Sequence, residues 1–356
     1  MAGDPVVDWL LEPEQPAVRA RAFTELLGRP ESDRDVRRAV STVGSVGWGA
    51  EILAARDPAG WWAAPRTLYE PKYQSTLWRM LVLADLGLTR DDPAVRASCE
   101  LWFEREQKAD GGFGPDTSRL SHLCTTGNAA RALIQFGYGD DARVRRALDW
   151  LVAAAAPKGG WSCWGSGRNL DSWEPLTAFA EYPRERWTPE MAGVVERGAE
   201  FFLSRELHRQ GEPYEPWFRT HYPRHYYYDV LVGLDALTAL GYGADVRLDL
   251  GLKWLRERRR RDGRWVLDAL HPDVAGGMAE WLAAHPKQRP TPFAVEPPGA
   301  PSKIITLTAR RVLRRVELAR GAAAAPAGRA ARTPRAASRG SSGGAGRSGR
   351  RRARTT

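Results

Sequence analysis

The polar residues able to do chemistry gather in five short segments, YEPKYQST, RLSHLCTTGN, GRNLDSWEP, RTHYPRHYYYD and GAPSK, each standing just before an apolar run. Three carboxyls among them, Asp171, Glu174 and Asp229, are candidate general acids or bases, because a carboxyl set in an apolar pocket has a raised pKa. Trp173, Tyr226 and Tyr228, with Tyr73 and Trp78 beside them in sequence or phase, can present π faces to a cationic or polyene ligand. Lys72, Arg168, Arg219, Arg224 and Lys303 can grip an anionic head group such as a diphosphate. His122, Cys124, Cys163, His221 and His225 are metal-capable, but their spacing is not a recognised zinc-ligand set, so no cofactor is identified and no metal is assigned. Cys124 and Cys163 have no assured base or helix terminus to activate them as nucleophiles. A plainer alternative is that the carboxylates cap helices and pair with these same bases. Asp229 in particular stands at a helix start, where Asp is favoured.

These segments become one site only if the chain brings them together, and a repeat supplies the means. An aromatic residue recurs eleven positions before a second aromatic that follows Gly or Arg: Trp102 to Phe113, Trp150 to Trp161, Trp254 to Trp265. The leading Trp are 48 and 104 residues apart, and Phe202 divides the longer interval equally, marking a degenerate copy in which GEPYEPWF replaces the turn. Upstream of each leading aromatic lies a second phrase, LADLGLTRDDPAVR, IQFGYGDDARVR or TALGYGADVRLD. It reads as a helix ending at Gly87, Gly137 or Gly241, then a turn whose Asp92, Asp141 or Asp245 caps the next helix. Each unit is an αα-hairpin. Its first helix is apolar almost all round, and its second is amphipathic, as in Val144, Ala147, Leu148 and Leu151.

Two orphan helices, VGWGAEILAAR and SKIITLTARRVLRRV, complete a fifth hairpin when placed side by side and close the array. The predicted fold is an all-α, α/α toroid of about five hairpins in two concentric layers, with the apolar helices inside. The five polar segments then converge on one mouth. Residues 1–45 are expected to form short helices that brace the outside, residues 46–318 the toroid, and residues 319–356 a disordered basic tail. Residues His285 to Pro301 read as an extended, Pro-rich loop before the closing helix.

The turns DGGFG, KGGW and DGRW, spaced near fifty residues between paired helices, resemble those of the prenyltransferase and squalene oxidase repeat family. YEPKYQSTLW, TGNAARALIQFGYGDD and YYYDVLVGLDAL are similar to segments of bacterial stand-alone toroids of that family. The resemblance implies a central apolar cavity that holds an isoprenoid or lipid-like molecule, with cyclase or transferase chemistry as the associated activity. The sequence departs from the family in two respects. It has no D-x-D-D acid motif of squalene-type cyclases, and no match to the spaced Asp, Cys and His zinc site of protein prenyltransferases. A non-catalytic binding or interaction scaffold on the same ring is the alternative.

Composition limits the remaining choices. With 43% hydrophobic residues the chain can bury a substantial core, and its 15 Trp suit fixed packing positions or apolar walls. Nine of the net +10 charges are the arginines between Gly321 and Thr356, so residues 1–320 are nearly neutral and the charge says little about the ring. The tail suits weak contact with nucleic acid or anionic lipid, or none. Three cysteines, an acidic N-terminal segment and no apolar stretch long enough to span a bilayer lead to the expectation of a soluble protein in the cytoplasm.

Overall fold

In the computed structural model the described residues are 3–63, 66–157, 159–163, 173–208, 214–270, 284 and 293–324, and among them there is helix and turn but no sheet. Asp171, Arg168, most of the Pro-rich loop and the basic tail fall outside these residues. The ring itself belongs to the unit Met1–Ala323.

The repeat becomes alternating helices. The outer ones are α4 (Gly47–Ala54), α6 (Pro93–Glu106), α8 (Ala142–Ala153), α10 (Pro189–Leu203) and α12 (Asp249–Glu257). The inner ones are α5 (Thr76–Asp85), α7 (Leu123–Leu133), α9 (Glu174–Glu181), α11 (Val230–Ala239) and α13 (Lys303–Ala324). Burial follows the sequence pattern: α11 is buried from Val230 to Thr238, whereas α8 buries only its stripe of Val144, Ala147, Leu148 and Leu151. The glycines that end the first helices are left-handed, with φ of 83° at Gly87, 92° at Gly137 and 90° at Gly241, a conformation that other residues adopt only at a cost. Asp92, Asp141 and Asp245 then accept hydrogen bonds from the first amides of the next helical segment.

The turns are tied in two directions, those at Trp62 and Trp265 in both. The indoles of Trp62, Trp161 and Trp265 donate to the carbonyls of Ile52, Leu151 and Leu255, ten residues earlier on their own outer helices, at 2.7–2.9 Å. The amides of Trp62, Phe113 and Trp265 donate to the hydroxyls of Thr76, Thr126 and Thr306 on the inner helix that follows, at 2.8–3.0 Å. A further close contact brings α7 against the start of α9. A Cβ on Gly127 would lie 2.7 Å from the Glu174 carbonyl carbon, so only Gly permits this approach.

The N-terminal helices α1 (Pro5–Leu10), α2 (Pro16–Arg21) and α3 (Arg34–Thr42) do more than lie against the ring. Val6, Leu10, Val18, Ala22 and Leu26 share an apolar cluster with Leu307 of α13. Arg21 donates to the Asp85 carbonyl at the end of α5, and Glu25 pairs with Arg311 of α13. Residues 21–28 therefore bridge the first and last inner helices. The same phrase recurs here in compressed form, with Gly28 at φ 67° and Asp33 capping α3.

Candidate functional site

The segment 220–229, expected on the rim, turns inward before α11. Asp229 caps α11 through the Val232 amide at 2.7 Å and binds the His221 imidazole Nδ1 at 2.7 Å. Both side chains are 1% exposed. Tyr222 is buried, and Arg224 pairs with Asp235 at 2.9 Å. His225 stacks on Tyr73, with centroids 5.1 Å apart, and its carbonyl accepts the Asn128 amide of α7. Arg224 also lines a small cavity shared by residues of all five inner helices, so it lies on the ring axis. The centre of the toroid is thus filled by the protein's own chain, not left as an open apolar channel. His221, Arg224 and Asp229 do not line the mouth cavity: Asp229 is held by His221 and the Val232 amide, Arg224 is paired with Asp235, and the buried His221 Nε2 has no hydrogen-bond partner among the described residues.

Beside this plug, on the mouth side, a cavity of about 850 Å³ remains. Its wall includes Lys72, His122, Glu174, Tyr226 and Tyr228 from the predicted set, with Cys124, Cys163 and Tyr227. Tyr69, Trp150, Tyr214 and Trp217 complete the aromatic part of the wall. Tyr69 opens the rim segment YEPKYQST, whereas nothing in the spacing marked the other three: Trp150 is the leading aromatic of a repeat, and Tyr214 and Trp217 lie in GEPYEPWF, the degenerate turn. Trp78 lies behind the wall, its ring 5.0–5.1 Å from those of Tyr69, His225 and Tyr226, and its indole donates to the Tyr69 carbonyl. Trp78 and Tyr73 are buried supports, and Trp173 is also fully buried. Lys303 reaches Glu12 at 2.7 Å and the Trp9 carbonyl, so it serves the N-terminal seam. Arg219 pairs with Glu215 on the surface.

The electrostatics of the wall are set by burial and by neighbours. The Lys72 ammonium stands 5.0 Å from the Tyr73 ring centre and 5.5 Å from that of Tyr226. Burial pushes the Tyr69 and Tyr226 phenols up, so both stay neutral, and the Tyr226 hydroxyl lies 3.2 Å from that of Thr125. His122 is lowered, first by burial of part of its ring and then by Lys108. Cys124 and Cys163 are hydrogen-bonded to each other; that bond draws the Cys124 thiol down and pushes the Cys163 thiol up. Glu174, only 1% exposed, begins α9, where the helix dipole favours a carboxylate. It is the one carboxyl among the described wall residues. No group of three His, Cys, Asp or Glu side chains among the described residues is arranged to hold a metal ion. None of the described helices is long and apolar enough to cross a membrane.

Comparison with known proteins gives structural likeness alone. No family profile and no curated protein matches the chain. A crystal structure of a protein from Actinoplanes is similar over 85% of this chain and 90% of its own, with 17% identity and a TM-score of 0.43. A type II terpene cyclase from Scytonema, solved with merosterolic acid A as product, covers 88% of this chain and 99% of its own, at 16% identity and a TM-score of 0.33. The same cyclase, solved with geranylgeranyl dihydroxybenzoate as substrate, covers 88% and 98%, again at 16% and 0.33.

Proposed function

We propose that the protein binds an isoprenoid or similar unsaturated, lipid-like molecule in the mouth cavity, and that Glu174 is the residue on which any proton-transfer chemistry there would turn. One observation carries this reading: a cavity of about 850 Å³ whose wall joins several aromatic rings to a single described carboxyl. Its volume is in the range of small-molecule sites, roughly 300–1,000 Å³. Aromatic faces suit a polyene or a cation formed from one, and Glu174 is close enough to the cavity to protonate a double bond or to balance a positive charge. Lys72, across two tyrosine rings, is placed to meet an anionic or hydroxylated end. The sequence resemblance to isoprenoid-handling toroids agrees with this ligand class.

The test is a fluorescence titration with geranylgeraniol and a prenylated phenol, followed by product extraction. Stoichiometric binding that Tyr226→Ala weakens at least tenfold supports the reading. Binding retained by Glu174→Gln while a wild-type product disappears would assign Glu174 to catalysis. No saturable binding of either probe would overturn the proposal. It would leave the scaffold reading, which the filling of the ring axis by Tyr222 and Arg224 favours.

A further inference from the structure

Further along the axis from the mouth, five guanidinium groups surround a cavity of about 40 Å³: Arg21, Arg131, Arg224, Arg311 and Arg315. We infer that this cavity is a binding site for one small monovalent anion of the chloride type. The first argument is charge. Among the described residues three carboxyls pair with these five cations, namely Glu25, Asp85 and Asp235. Asp235 is shared by Arg224, Arg311 and Arg315, at 2.6–3.0 Å, and Arg311 also reaches Glu25. Glu181 also borders the cavity, but it is exposed and binds the Gln135 amide. Even with Glu181 ionised, the cluster keeps one positive charge in excess. A buried charge without a counter-charge is costly.

The second argument is hydrogen bonding. Arg131 is 2% exposed and gives Nη1 to Asp85, yet its Nε and Nη2 have no acceptor among the described residues. These are two donors of one rigid fork, at the edge of the cavity. The third argument is size: one water needs about 10–15 Å³ of such volume, so about 40 Å³ admits a chloride ion and excludes bulky organic anions. Partial exposure of Arg21 and Arg315 gives a route inward.

The full-length protein should show a saturating rise in Tm of about 2–4 °C when sodium chloride replaces sodium gluconate at constant ionic strength. Arg131→Met should abolish the rise. Crystals grown with bromide should give an anomalous peak within hydrogen-bond distance of Arg131 Nε or Nη2, a measurement that does not depend on the variant folding. Gluconate and chloride giving the same Tm, with ordered water and no anomalous signal at the cavity, would overturn the inference. So would a halide-dependent Tm with the bromide peak elsewhere.

Discussion

Carboxyls meet opposite surroundings in two regions of this molecule. On the ring axis, burial works to raise Asp85 and Asp235, but the arginines beside each overcome it and hold both well below the usual carboxylate range; Glu25 is drawn down to about 2 in the same way. At the outer end of α6, Glu106 is fully buried with a Trp102 indole at 2.9 Å, and burial followed by the nearby Asp116 pushes it up to about 8. The same side-chain chemistry is therefore a fixed anion in one place and a neutral acid in the other. Neighbouring cations, more than depth, decide which.

The largest test of that contrast is Asp235→Ala. It should cost about 3–5 kcal/mol in urea unfolding, because three guanidiniums lose their shared partner; a loss below about 1 kcal/mol would break the comparison. Next comes pH. For Glu25 the folded pKa is below the unfolded 4.5, so its stabilisation is present above about 4.5 and is lost as pH falls toward 2. For Glu106 the folded pKa is above the unfolded one, so stability is highest below about 4.5 and declines as pH rises toward 8. Glu106→Gln should therefore be worth a few kcal/mol at pH 8 and almost nothing at pH 4.5, read from unfolding curves at the two pH values. A smaller effect, about 1–2 kcal/mol, is expected for Trp161→Phe, which keeps the ring but leaves the Leu151 carbonyl without its indole partner. The smallest concerns reactivity alone. Iodoacetamide at pH 8 should modify the Cys124–Cys163 pair before Cys99, which is buried and whose thiol burial pushes up. Mass mapping reads the order directly.

The repeat made the hairpins and their layers legible, because left-handed Gly, Asp caps and turn aromatics leave local marks at a fixed spacing. Two parts of the fold lacked such marks. Glu51 occupies the position where a leading aromatic would announce the Trp62 turn, and the outer helix before it is broken between Thr42 and Gly47, so this copy of the tie was not read from sequence. Residues 16–28 carry the hairpin phrase, but their link to α5 and α13 rests on Arg21 and Glu25, whose partners are 64 and 286 residues away. For the site, the segments before the inner helices contribute Lys72, His122, Glu174, Tyr226 and Tyr228 to the wall of one cavity. The inward path of 220–229 was invisible because it depends on Arg224 finding Asp235 and on His225 fitting between Tyr73 and Trp78. Ion pairs and ring stacking across distant segments have no period to detect.

The threonine ties described for the turns carry a consequence for how the protein opens. The amides of Trp62, Phe113 and Trp265 are each protected by a hydroxyl on the following inner helix, that of Thr76, Thr126 or Thr306. Such an amide can exchange its hydrogen with solvent only when two adjoining hairpins separate. Exchange at Trp62, Phe113 and Trp265 should therefore report the parting of neighbours and not fraying within one hairpin, so these three amides act as built-in gauges of ring cooperativity.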